Sequence, residues 1–396
     1  MVKLRFLTAG ESHGQGLLAI IEGMVAGLPL SEEYIRRDLR RRQGGYGRSE
    51  RMKLEADEAK IISGVRHGYT IGSPIGLMLT NRVWQEWQEV MSISPVEAEV
   101  PPLTAPRPGH ADLAGVVKYG FGDIRNVLER ASARETAARV AVGAIARRFL
   151  EEFGIVIHSH TVNIGGHGAK IDGRIDWRKV ESSAVRCADA AAEKAMLAAI
   201  DKARTEGDTV GGIFEVVAEG VPIGLGSYVQ WDRRLDARIA AAIMSINAVK
   251  GVAIGAGFSL ADVPGSQAHD VIEPASGKKG AYPWHRPTNF AGGIEGGISN
   301  GEPIIVRAVV KPIATLGKPL PTVDLRTGKA TKAHYERSDV CVVPAAGVVG
   351  EAMLAIVLAD AMLEKFGGDG LNETLENYRN YMSSLSSGAH EQSSKR

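Results

Sequence analysis

Cysteine is nearly absent from this sequence, which has only Cys187 and Cys341 in 396 residues. Two cysteines so far apart provide no disulfide framework and no cysteine-based zinc site, and such usage is typical of a reducing compartment. No signal peptide is recognised before the first predicted strand. We therefore expect free thiols and a cytoplasmic protein. The zinc-binding pattern His-Glu-x-x-His is also missing, so no metal is predicted.

The sequence also lacks the motifs of the commonest nucleotide-binding folds. It has no Gly-x-x-x-x-Gly-Lys-Ser/Thr, and no Gly-x-Gly-x-x-Gly lies between a strand and a helix, so neither a P-loop nor a Rossmann site is supported. The longest apolar run, from Val342 to Leu363, is interrupted by Glu351 and Asp360, which favours a buried core helix over a membrane span. The formal net charge is +1, so the molecule as a whole does not attract nucleic acid.

Glycine is the residue in excess, with 47 of 396 positions, against about 7% in average proteins. It is concentrated in the segments 44–47 and 251–303. Such segments predict tight turns and places where the backbone approaches a ligand closely. Long loops of this kind are unusual in a compact domain unless they have a function.

The order of periodic segments predicts one α+β domain. Residues 1–382 show no linker and no repeat, so we expect a single large domain with long glycine-rich loops, and residues 383–396 are predicted to be a disordered tail. The segment 17–25 suits a strand or a helix, and 60–80 suits two short strands. Strands are predicted at 2–8, 155–164, 212–219 and 304–311, and helices between Ser31 and Gly44 and at 111–119, 132–153, 188–205, 235–249 and 345–366.

The stretch 130–136, Arg-Ala-Ser-Ala-Arg-Glu-Thr, is predicted to open a long helix. Ser132 and Glu135 have the spacing of a capping box, in which Ser132 accepts from the backbone amide three residues on. Arg130 and Arg134 add positive charge to a helix start whose N–H groups already favour an anion. The same pattern also suits a well-capped helix with solvated arginines, and this stretch alone does not separate the two interpretations.

Arginine recurs in loops rich in glycine and proline. Guanidinium groups bind phosphate and carboxylate in a bidentate manner, and each charge-assisted contact contributes roughly 1.5–3 kcal/mol where water is excluded. Four or more converging arginines would hold a small polyanion, whereas arginines that do not converge would be solvated. The arginines in such positions are Arg42, Arg48, Arg107, Arg130, Arg134 and Arg337.

Three other side chains are candidates for moving a proton. His13 lies in a turn between Ser12 and Gly14, and His110 lies in a Pro-Gly-His-Ala-Asp loop before a predicted helix. Histidine is the side chain whose charge changes near neutral pH. Asp339 is a candidate base, with a salt bridge to Arg337 as the alternative interpretation.

Seven stretches, in family order from residue 8 to about 370, together resemble the chorismate synthase family. They are T-A-G-E-S-H-G (8–14), R-Q-G-G-Y-G-R (42–48), R-P-G-H-A-D (107–112), E-R-A-S-A-R-E-T-A-A-R-V (129–140), E-G-G-I-S-N-G (295–301), K-P-I-A-T (311–315) and R-S-D-V-C-V-V-P-A-A-G-V-V (337–349).

The resemblance implies a lyase of the shikimate pathway for aromatic amino acid biosynthesis. Members of the family convert 5-enolpyruvylshikimate 3-phosphate to chorismate and phosphate by 1,4-anti elimination, with reduced FMN and no net redox change. They are homotetramers with a β-α-β sandwich fold, and NADPH is a candidate reductant for the flavin. The expected partners are the small-molecule substrate and other copies of the chain, without nucleic acid, membrane or metal.

By the same resemblance, His13 would protonate the departing phosphate and His110 the reduced flavin. Asp339 would take the C6 proton, and Ser12 and Ser132 complete the catalytic group. Four arginines would bind the substrate or the phosphate of NADPH: Arg42, Arg48, Arg107 and Arg134. The residues expected to contact FMN are Arg130, Ala131, Ser132, Asn247, Ala248, Gly296, Lys311, Pro312, Ile313, Ala314, Thr315 and Arg337.

Two positions depart from the family pattern. Asn247 stands where many members have glutamine, and Ala314 stands where serine or threonine is common, which removes one hydroxyl contact to the flavin phosphate. Two other functions remain open from the residues alone. One is a flavin oxidoreductase acting on a phosphorylated acid. The other is an RNA-binding protein that uses the arginines of 36–51, although aromatic residues that could stack on bases are not interleaved there.

Overall fold

The computed structural model describes residues 4–48, 57–97, 99–171, 173–275, 282–336 and 338–386. Within these residues, two antiparallel sheets enclose a layer of helices, and one large cluster of buried apolar side chains runs through all three layers. The predicted α+β class and the β-α-β sandwich are thereby confirmed.

The strands of the described residues range from two to nine residues in length. They are β1 (Arg5–Gly10), β2 (Gly16–Glu22), β3 (Ala59–Ile61), β4 (Val65–Arg66), β5 (Tyr69–Thr70), β6 (Ile75–Thr80), β7 (Val156–Ile164), β8 (His167–Gly168), β9 (Gly212–Glu219), β10 (Val249–Ile254), β11 (Glu273–Pro274), β12 (Trp284–His285), β13 (Ile294–Glu295), β14 (Ile298–Ser299), β15 (Ile304–Val310), β16 (Pro321–Val323) and β17 (Ala330–Lys332).

The helices of the same residues are two long core helices and a set of shorter ones. They are α1 (Glu32–Gln43), α2 (Trp84–Trp87), α3 (Asp112–Tyr119), α4 (Arg125–Ala131), α5 (Thr136–Glu151), α6 (Trp177–Ser182), α7 (Ala190–Thr205), α8 (Leu235–Met244), α9 (Gly265–Ala268), α10 (Val343–Phe366) and α11 (Leu371–Ser386).

The first sheet has the strand order β1-β2-β6-β3, and it explains why the segment 17–25 was ambiguous. In β2, Leu17, Ala19 and Ile21 are buried against the helices, while Leu18 and Ile20 are exposed on the other face. Both faces of the strand are therefore apolar, so the sequence shows no polar alternation. The pairing with β1 and β6 decides in favour of a strand.

The second sheet, in the order β10-β15-β9-β7-β8, covers the other side of the helices. The inward face of β9 carries Phe214, Val216 and Ala218, all buried. Phe214 and Val216 lie against Gly350 of α10, where an added Cβ would come within 2.7 Å of the Phe214 ring. Glycine at this position lets α10 lie directly on the sheet.

Helices α5 and α10 form the centre of the sandwich. They pack so closely that a Cβ at Gly143 of α5 would lie 2.3 Å from the Cβ of Ala352 in α10. Helix α10 is long and apolar enough to cross a membrane, but its most apolar window is completely buried inside the protein. It is the core helix that the apolar run predicted.

The buried carboxylate of Glu351 in α10 is neutralised by arginines from three other segments. Arg41, Arg147 and Arg186 donate to it, at distances of 2.6, 2.5 and 3.3 Å respectively, and the hydroxyl of Ser159 donates at 2.6 Å. Burial alone would raise the pKa of Glu351, but the charges of Arg41 and Arg147 hold this pKa well below its usual range. Glu351 thus ties α10 to α1, α5, β7 and the loop that holds Arg186 inside the core.

Several predicted boundaries were wrong where tertiary contacts override the local pattern. The helix predicted for 132–153 begins as a short 3₁₀ turn after an extended Ser132 and continues as α5 to Glu151, while α4, which was not predicted, lies directly before it. The helix predicted for 235–249 ends at Met244, because Val249 already pairs with β15. The segment 60–80 contains the predicted pair of short strands, β4 and β5, joined through His67 and Gly68, but it also contains β6 and the end of β3, which were not predicted.

The last described residues form the amphipathic helix α11, which was not predicted from the sequence. Tyr378 and Tyr381 contact Phe366 edge to face, and Leu385 is buried. Residues 383–386 of the predicted tail are therefore helical, whereas residues 387–396 lie outside the described part of the chain.

Candidate active site

A cavity of about 460 Å³ opens between the N-terminus of α10, the 3₁₀ turn after α4 and the loop that follows β15. Its volume is in the range of small-molecule and cofactor sites. Residues from eight separate stretches of the sequence line it: Ser12, His13, Arg42, Arg48, Arg107, Gly109, His110, Ala111, Leu128, Ala131, Ser132, Ala133, Arg134, Thr136, Ile246, Asn247, Ala248, Lys311, Ile313, Ala314, Thr315, Glu336, Ser338, Asp339, Val342, Ala345, Ala346 and Val349.

One wall of the cavity is apolar. This part of the lining comprises Val342, directly before α10, Ala345 and Val349 in its first turns, and Ile246 and Ile313 from other segments. A flat apolar ring system can lie against such a wall.

A second part of the lining, the arginine wall, carries Arg42, Arg48, Arg107 and Arg134, as the sequence predicted, and three of them are buried rather than solvated. Arg42 and Arg134 both pair with the carboxylate of Asp57, and Arg134 also donates to the side-chain oxygen of Asn81. Burial, together with the charges of Arg48 and Arg134, lowers the pKa of Arg42 to about 10, despite the opposing effect of Asp57. The crowding of cations on this wall favours an anionic ligand.

Arg48 and Asp339 form an ion pair at the cavity, with 2.9 Å between Nη1 and Oδ2. The salt bridge predicted as the alternative role of Asp339 involved Arg337, which lies outside the described residues. The Nε of Arg48 is buried and has no hydrogen-bond partner among the residues the structure describes. A buried donor of this kind normally has an acceptor, so a ligand oxygen would satisfy it.

Arg107 and His110 are held by one carboxylate at the start of α3. Asp112, which is fully buried, accepts from the Nε of Arg107 at 2.8 Å and lies 2.5 Å from the Nδ1 of His110. Burial alone would raise its pKa, but the hydrogen bonds from His110 and Arg107 hold the pKa of Asp112 well below its usual range. Arg107 also donates to the hydroxyl of Thr315 at 3.0 Å.

His13 is held at the opposite side of the cavity by a second buried carboxylate. Its Nδ1 lies 2.9 Å from Oε1 of Glu129, and its backbone N–H donates to Oε2 at 2.8 Å. The ring stacks on Trp87 with 3.9 Å between centroids and 22° between planes. Both the direction and the plane of the imidazole are thereby fixed.

The two predicted catalytic serines lie side by side. The hydroxyl oxygens of Ser12 and Ser132 are 3.3 Å apart, and Ser132 accepts from the backbone N–H of Arg134 at 3.3 Å. The predicted capping box is wrong in detail, because Ser132 accepts from the amide two residues on. The carboxylate of Glu135 instead accepts from Thr8 and Arg139.

The segment 311–315 follows β15 along the cavity floor. Lys311 donates to the backbone carbonyl of Gly109 at 2.7 Å, and burial and then the charge of Lys250 lower the pKa of Lys311. Asn247 donates to the backbone carbonyl of Ala131 at 3.0 Å. Its neighbour Ala248 has a positive φ of 68° and accepts from the amide of Lys311, which closes the corner between α8 and β10.

Most of the predicted site residues therefore meet in one cavity, but three do not line it. Arg130 points away, because its guanidinium donates to the backbone carbonyls of Thr8 and Gly10. Gly296 lies at the tip of the hairpin between β13 and β14, which packs beside α8, and Pro312 lies behind its two neighbours in the floor. Arg337 lies outside the described residues.

Five residues that the sequence did not single out support the site. Asp57, Asp112 and Glu129 are the carboxylates that hold the arginines and histidines, Asn81 holds Arg134 in place, and Trp87 stacks on His13. Asp112 and Glu129 lie inside two of the quoted motifs, so that signal was available. Asp57, Asn81 and Trp87 lie outside the quoted motifs, and only the tertiary fold places them at the site. Glu336 also lines the cavity.

The arginines of 36–41 do not form an open basic face. Arg36 and Arg40 pair with Glu33, and Arg41 pairs with Glu351 in the core. The feature that favoured RNA binding is therefore largely neutralised within α1 and its neighbours.

The cavity suits a flavin phosphate together with an acidic substrate. It combines an apolar wall with four arginines and one lysine, and the unpartnered Nε of Arg48 offers a donor for a ligand oxygen. No group of three or more metal-ligating side chains occurs in the described parts of the chain.

Comparison with known proteins identifies the family. A family model described as chorismate synthase matches residues 4–363. Among similar proteins, the chorismate synthase of Streptomyces avermitilis is 54% identical over 397 residues, covering 97% of this chain and 99% of that protein. The chorismate synthase of Moorella thermoacetica is 55% identical over 389 residues, covering 96% of this chain and 100% of that protein.

A solved structure gives the same result. A crystal structure of chorismate synthase superimposes with a TM-score of 0.78 at 44% sequence identity, and the match covers 98% of this chain and 100% of that one. The fold, the sequence relatives and the family model agree over nearly the whole length, so this chain belongs to the chorismate synthase family.

Proposed function

We propose that this chain catalyses the 1,4-anti elimination of phosphate and the C6 proton from 5-enolpyruvylshikimate 3-phosphate, with reduced FMN and without net redox change. The observation that carries this proposal is the convergence of two carboxylate-held histidines, His13 and His110, with four arginines on one cavity that has an apolar wall. The product, chorismate, keeps both carboxylates of the substrate. The arginines therefore face two carboxylates and one phosphate in the substrate.

FMN is proposed to lie against the first turns of α10. Ala131, Ser132, Asn247, Ala248 and the segment 311–315 would hold it, with Lys311 and Thr315 as the polar contacts. Arg130, Gly296, Pro312 and Arg337 remain proposed contacts from the family resemblance. When bound and reduced, the flavin supplies transient electron density to the substrate as the C–O bond to phosphate breaks.

His13 is proposed to protonate the departing phosphate. Breaking the C3–O bond leaves an electron pair on the phosphate oxygen, and an acid near that oxygen stabilises the developing charge. Arg42 and Arg48 would hold the same phosphate. Ser12 and Ser132 would orient it through the two neighbouring hydroxyl groups.

Asp339 is proposed to accept the proton from C6. A carboxylate at the cavity surface can act as a base while Arg48 keeps it oriented. His110 would hold a proton toward the flavin, and Arg107 and Arg134 would bind the substrate carboxylates. The glycine loop 44–47 would help to exclude water from the cavity.

We also propose a homotetramer in the cytoplasm, with NADPH as a candidate reductant. The exposed apolar side chains of the first sheet, Leu7, Leu18 and Ile20, are available for contacts between copies of the chain. Both cysteines are buried free thiols, in keeping with a reducing compartment.

An anaerobic assay with photoreduced FMN tests the proposed function. We expect release of phosphate and chorismate in equal amounts while the flavin stays reduced, and the assay with and without NADPH shows whether the chain reduces its own flavin. Consumption of reductant in proportion to product would favour a flavin oxidoreductase instead.

A further inference from the structure

The two cavity histidines share an arrangement that the proposed proton transfers do not by themselves require. In each, the Nδ1 nitrogen faces a carboxylate: Glu129 at 2.9 Å from His13, and Asp112 at 2.5 Å from His110. Glu129 is only 2% exposed and Asp112 is fully buried. Placing a buried charge beside each histidine is costly unless the carboxylate has strong donors. The burial of a carboxylate beside each of these two histidines therefore needs a physical reason.

Glu129 is surrounded by hydrogen-bond donors. Its Oε2 accepts from the backbone N–H of His13 at 2.8 Å, and its Oε1 accepts from Arg125 at 3.1 Å. Neither donor can accept a proton, and two such donors, one of them a guanidinium, make the environment that suits a carboxylate. With a carboxylate 2.9 Å from Nδ1, the hydrogen of a neutral His13 ring lies on Nδ1.

This contact decides the tautomer of His13. A neutral imidazole carries one N–H, so a ring that donates from Nδ1 has its lone pair on Nε2. The ring stacks on Trp87, and a half turn of the ring would replace the Nδ1 contact with Glu129 by a carbon atom. Any proton that His13 takes up or gives away is therefore carried on Nε2.

We propose that Glu129 is a positioning residue that keeps His13 in the Nδ1–H tautomer, so that Nε2 carries the proton transferred to the substrate. The proposal concerns His13 alone, because the Nδ1 of His110 lies near both Asp112 and the donor Nη2 of Arg107. This proposal rests on the proposed function in one respect, the role of His13 as the acid. The other part of the proposal, that His13 is protonated on Nδ1, does not depend on enzyme activity.

Replacing Glu129 by glutamine tests this directly. The glutamine side chain has one oxygen and one NH₂ group in place of the two carboxylate oxygens. In either orientation the NH₂ group faces a donor, which is the backbone N–H of His13 or the guanidinium of Arg125. In serine proteases, the equivalent change of carboxylate to amide traps the wrong histidine tautomer and lowers kcat by roughly 10⁴. We expect Glu129→Gln to lower kcat by roughly 10²–10⁴, with KM for the substrate within about twofold of the unmodified value.

A matched control lies six residues further along the chain. Glu135 is also a buried carboxylate, and it accepts from Thr8 and Arg139 without contacting a histidine. We expect Glu135→Gln to lower stability and to leave kcat unchanged. A loss of kcat as large as that of Glu129→Gln would show that any buried carboxylate in this region matters equally, and would overturn the positioning role.

The spectroscopic measurement uses the full-length protein labelled with ¹⁵N-histidine. The His13 signals are identified by their absence in His13→Gln. In the unmodified protein we expect a protonated Nδ1 and an unprotonated Nε2, and in Glu129→Gln the reverse. A His13 ring protonated on Nε2 in the unmodified protein would overturn the proposal. So would a folded Glu129→Gln with unchanged kcat.

Two features keep the test decisive. If circular dichroism shows that Glu129→Gln does not fold, Glu129→Asp, which retains the carboxylate, replaces it. The ¹⁵N spectrum of the unmodified protein still decides whether His13 is protonated on Nδ1. If instead His13→Ala remained fully active, the acid role in the proposed function would fail, while the measured tautomer would stand.

Discussion

The guanidinium of Arg48 holds the carboxylate of Asp339 at 2.9 Å, at the edge of the cavity. In the proposed function these residues have different tasks, since Arg48 binds the substrate phosphate and Asp339 takes the C6 proton. Their contact means that phosphate binding and orientation of the base are linked. A substrate that engages Arg48 also competes for the group that holds Asp339.

Arg48→Ala should raise KM for the phosphorylated substrate far more than it changes the affinity for FMN. Loss of one charge-assisted contact of about 1.5–3 kcal/mol corresponds to roughly a 10- to 100-fold rise in KM. Steady-state kinetics and flavin titration measure the two quantities. Arg66→Ala, at an exposed arginine on β4, is the control and should change neither. A larger effect on flavin affinity than on KM would assign Arg48 to the cofactor.

His13→Ala should lower kcat by roughly 10²–10⁴, the usual range for loss of a general acid. The matched control is His160, which is also buried and also faces a glutamate, Glu215, at 2.9 Å, but lies on β7 outside the cavity. We expect His160→Ala to lower the melting temperature and to keep kcat. Activity of His13→Ala within about twofold of the unmodified protein would contradict the acid role.

Ser132→Ala should weaken FMN binding and lower stability only slightly. The contact from Ser132 to the N–H of Arg134 is long, at 3.3 Å, so we expect the small end of a capping effect, about 0.5–1 kcal/mol. Ser31→Ala is the comparison, because Ser31 caps α1 through the N–H of Tyr34, and α1 begins away from the cavity. It should cost about 1 kcal/mol and leave FMN binding unchanged. Equal FMN affinity in both variants would leave Ser132 with a structural role only.

Glu351→Gln should destabilise the fold by about 3–5 kcal/mol, because Arg41, Arg147 and Arg186 lose their shared carboxylate. The folded state holds the pKa of Glu351 below its ordinary value of 4.5. Its stabilisation is therefore complete above that value and is lost as the pH falls toward the folded pKa. Denaturant unfolding at a series of pH values should show a shallower acid limb in the variant.

The exposed Glu376 on α11 provides the control for this pH dependence. Glu376→Gln should leave both the stability and the acid limb close to those of the unmodified protein. Parallel acid limbs for Glu351→Gln and the unmodified protein would show that the core carboxylate is not the source of the acid sensitivity.

Local sequence patterns correctly predicted the helices that depend on capping residues, charge order or an apolar run within the same segment. Ser31 and the charge order of α1 mark that helix correctly, with Glu32 and Glu33 in its first turn and arginines in its last. The apolar run of α10 is also where it was predicted, because no partner is needed to recognise a helix that is buried on all sides.

The sequence placed a helix start at Ser132, but α4 directly before it was not predicted. The side chains around this helix start meet partners from distant parts of the chain. Arg134, for example, is held by Asp57 and Asn81, which are 77 and 53 residues away. The motif marked the correct place for the site but assigned it the wrong local geometry.

The carboxylates of the site show a similar limit. The arginines were recognisable from their glycine-rich and proline-rich surroundings, but no local pattern indicates which acid each arginine contacts. Arg42 and Arg134 share Asp57, although the two arginines belong to different helical segments. Convergence of like charges on one acid is a property of the tertiary fold.

The position of α10 in the sequence has a consequence for folding during translation. This helix fills the centre of the sandwich, yet it begins at residue 343 of 396. A nascent chain leaving the ribosome therefore presents the inner face of the second sheet before α10, which packs on β7 and β9, has been translated. Newly made molecules in this interval should be clients of holding chaperones, and the emergence of α10 is the event that completes the catalytic cavity.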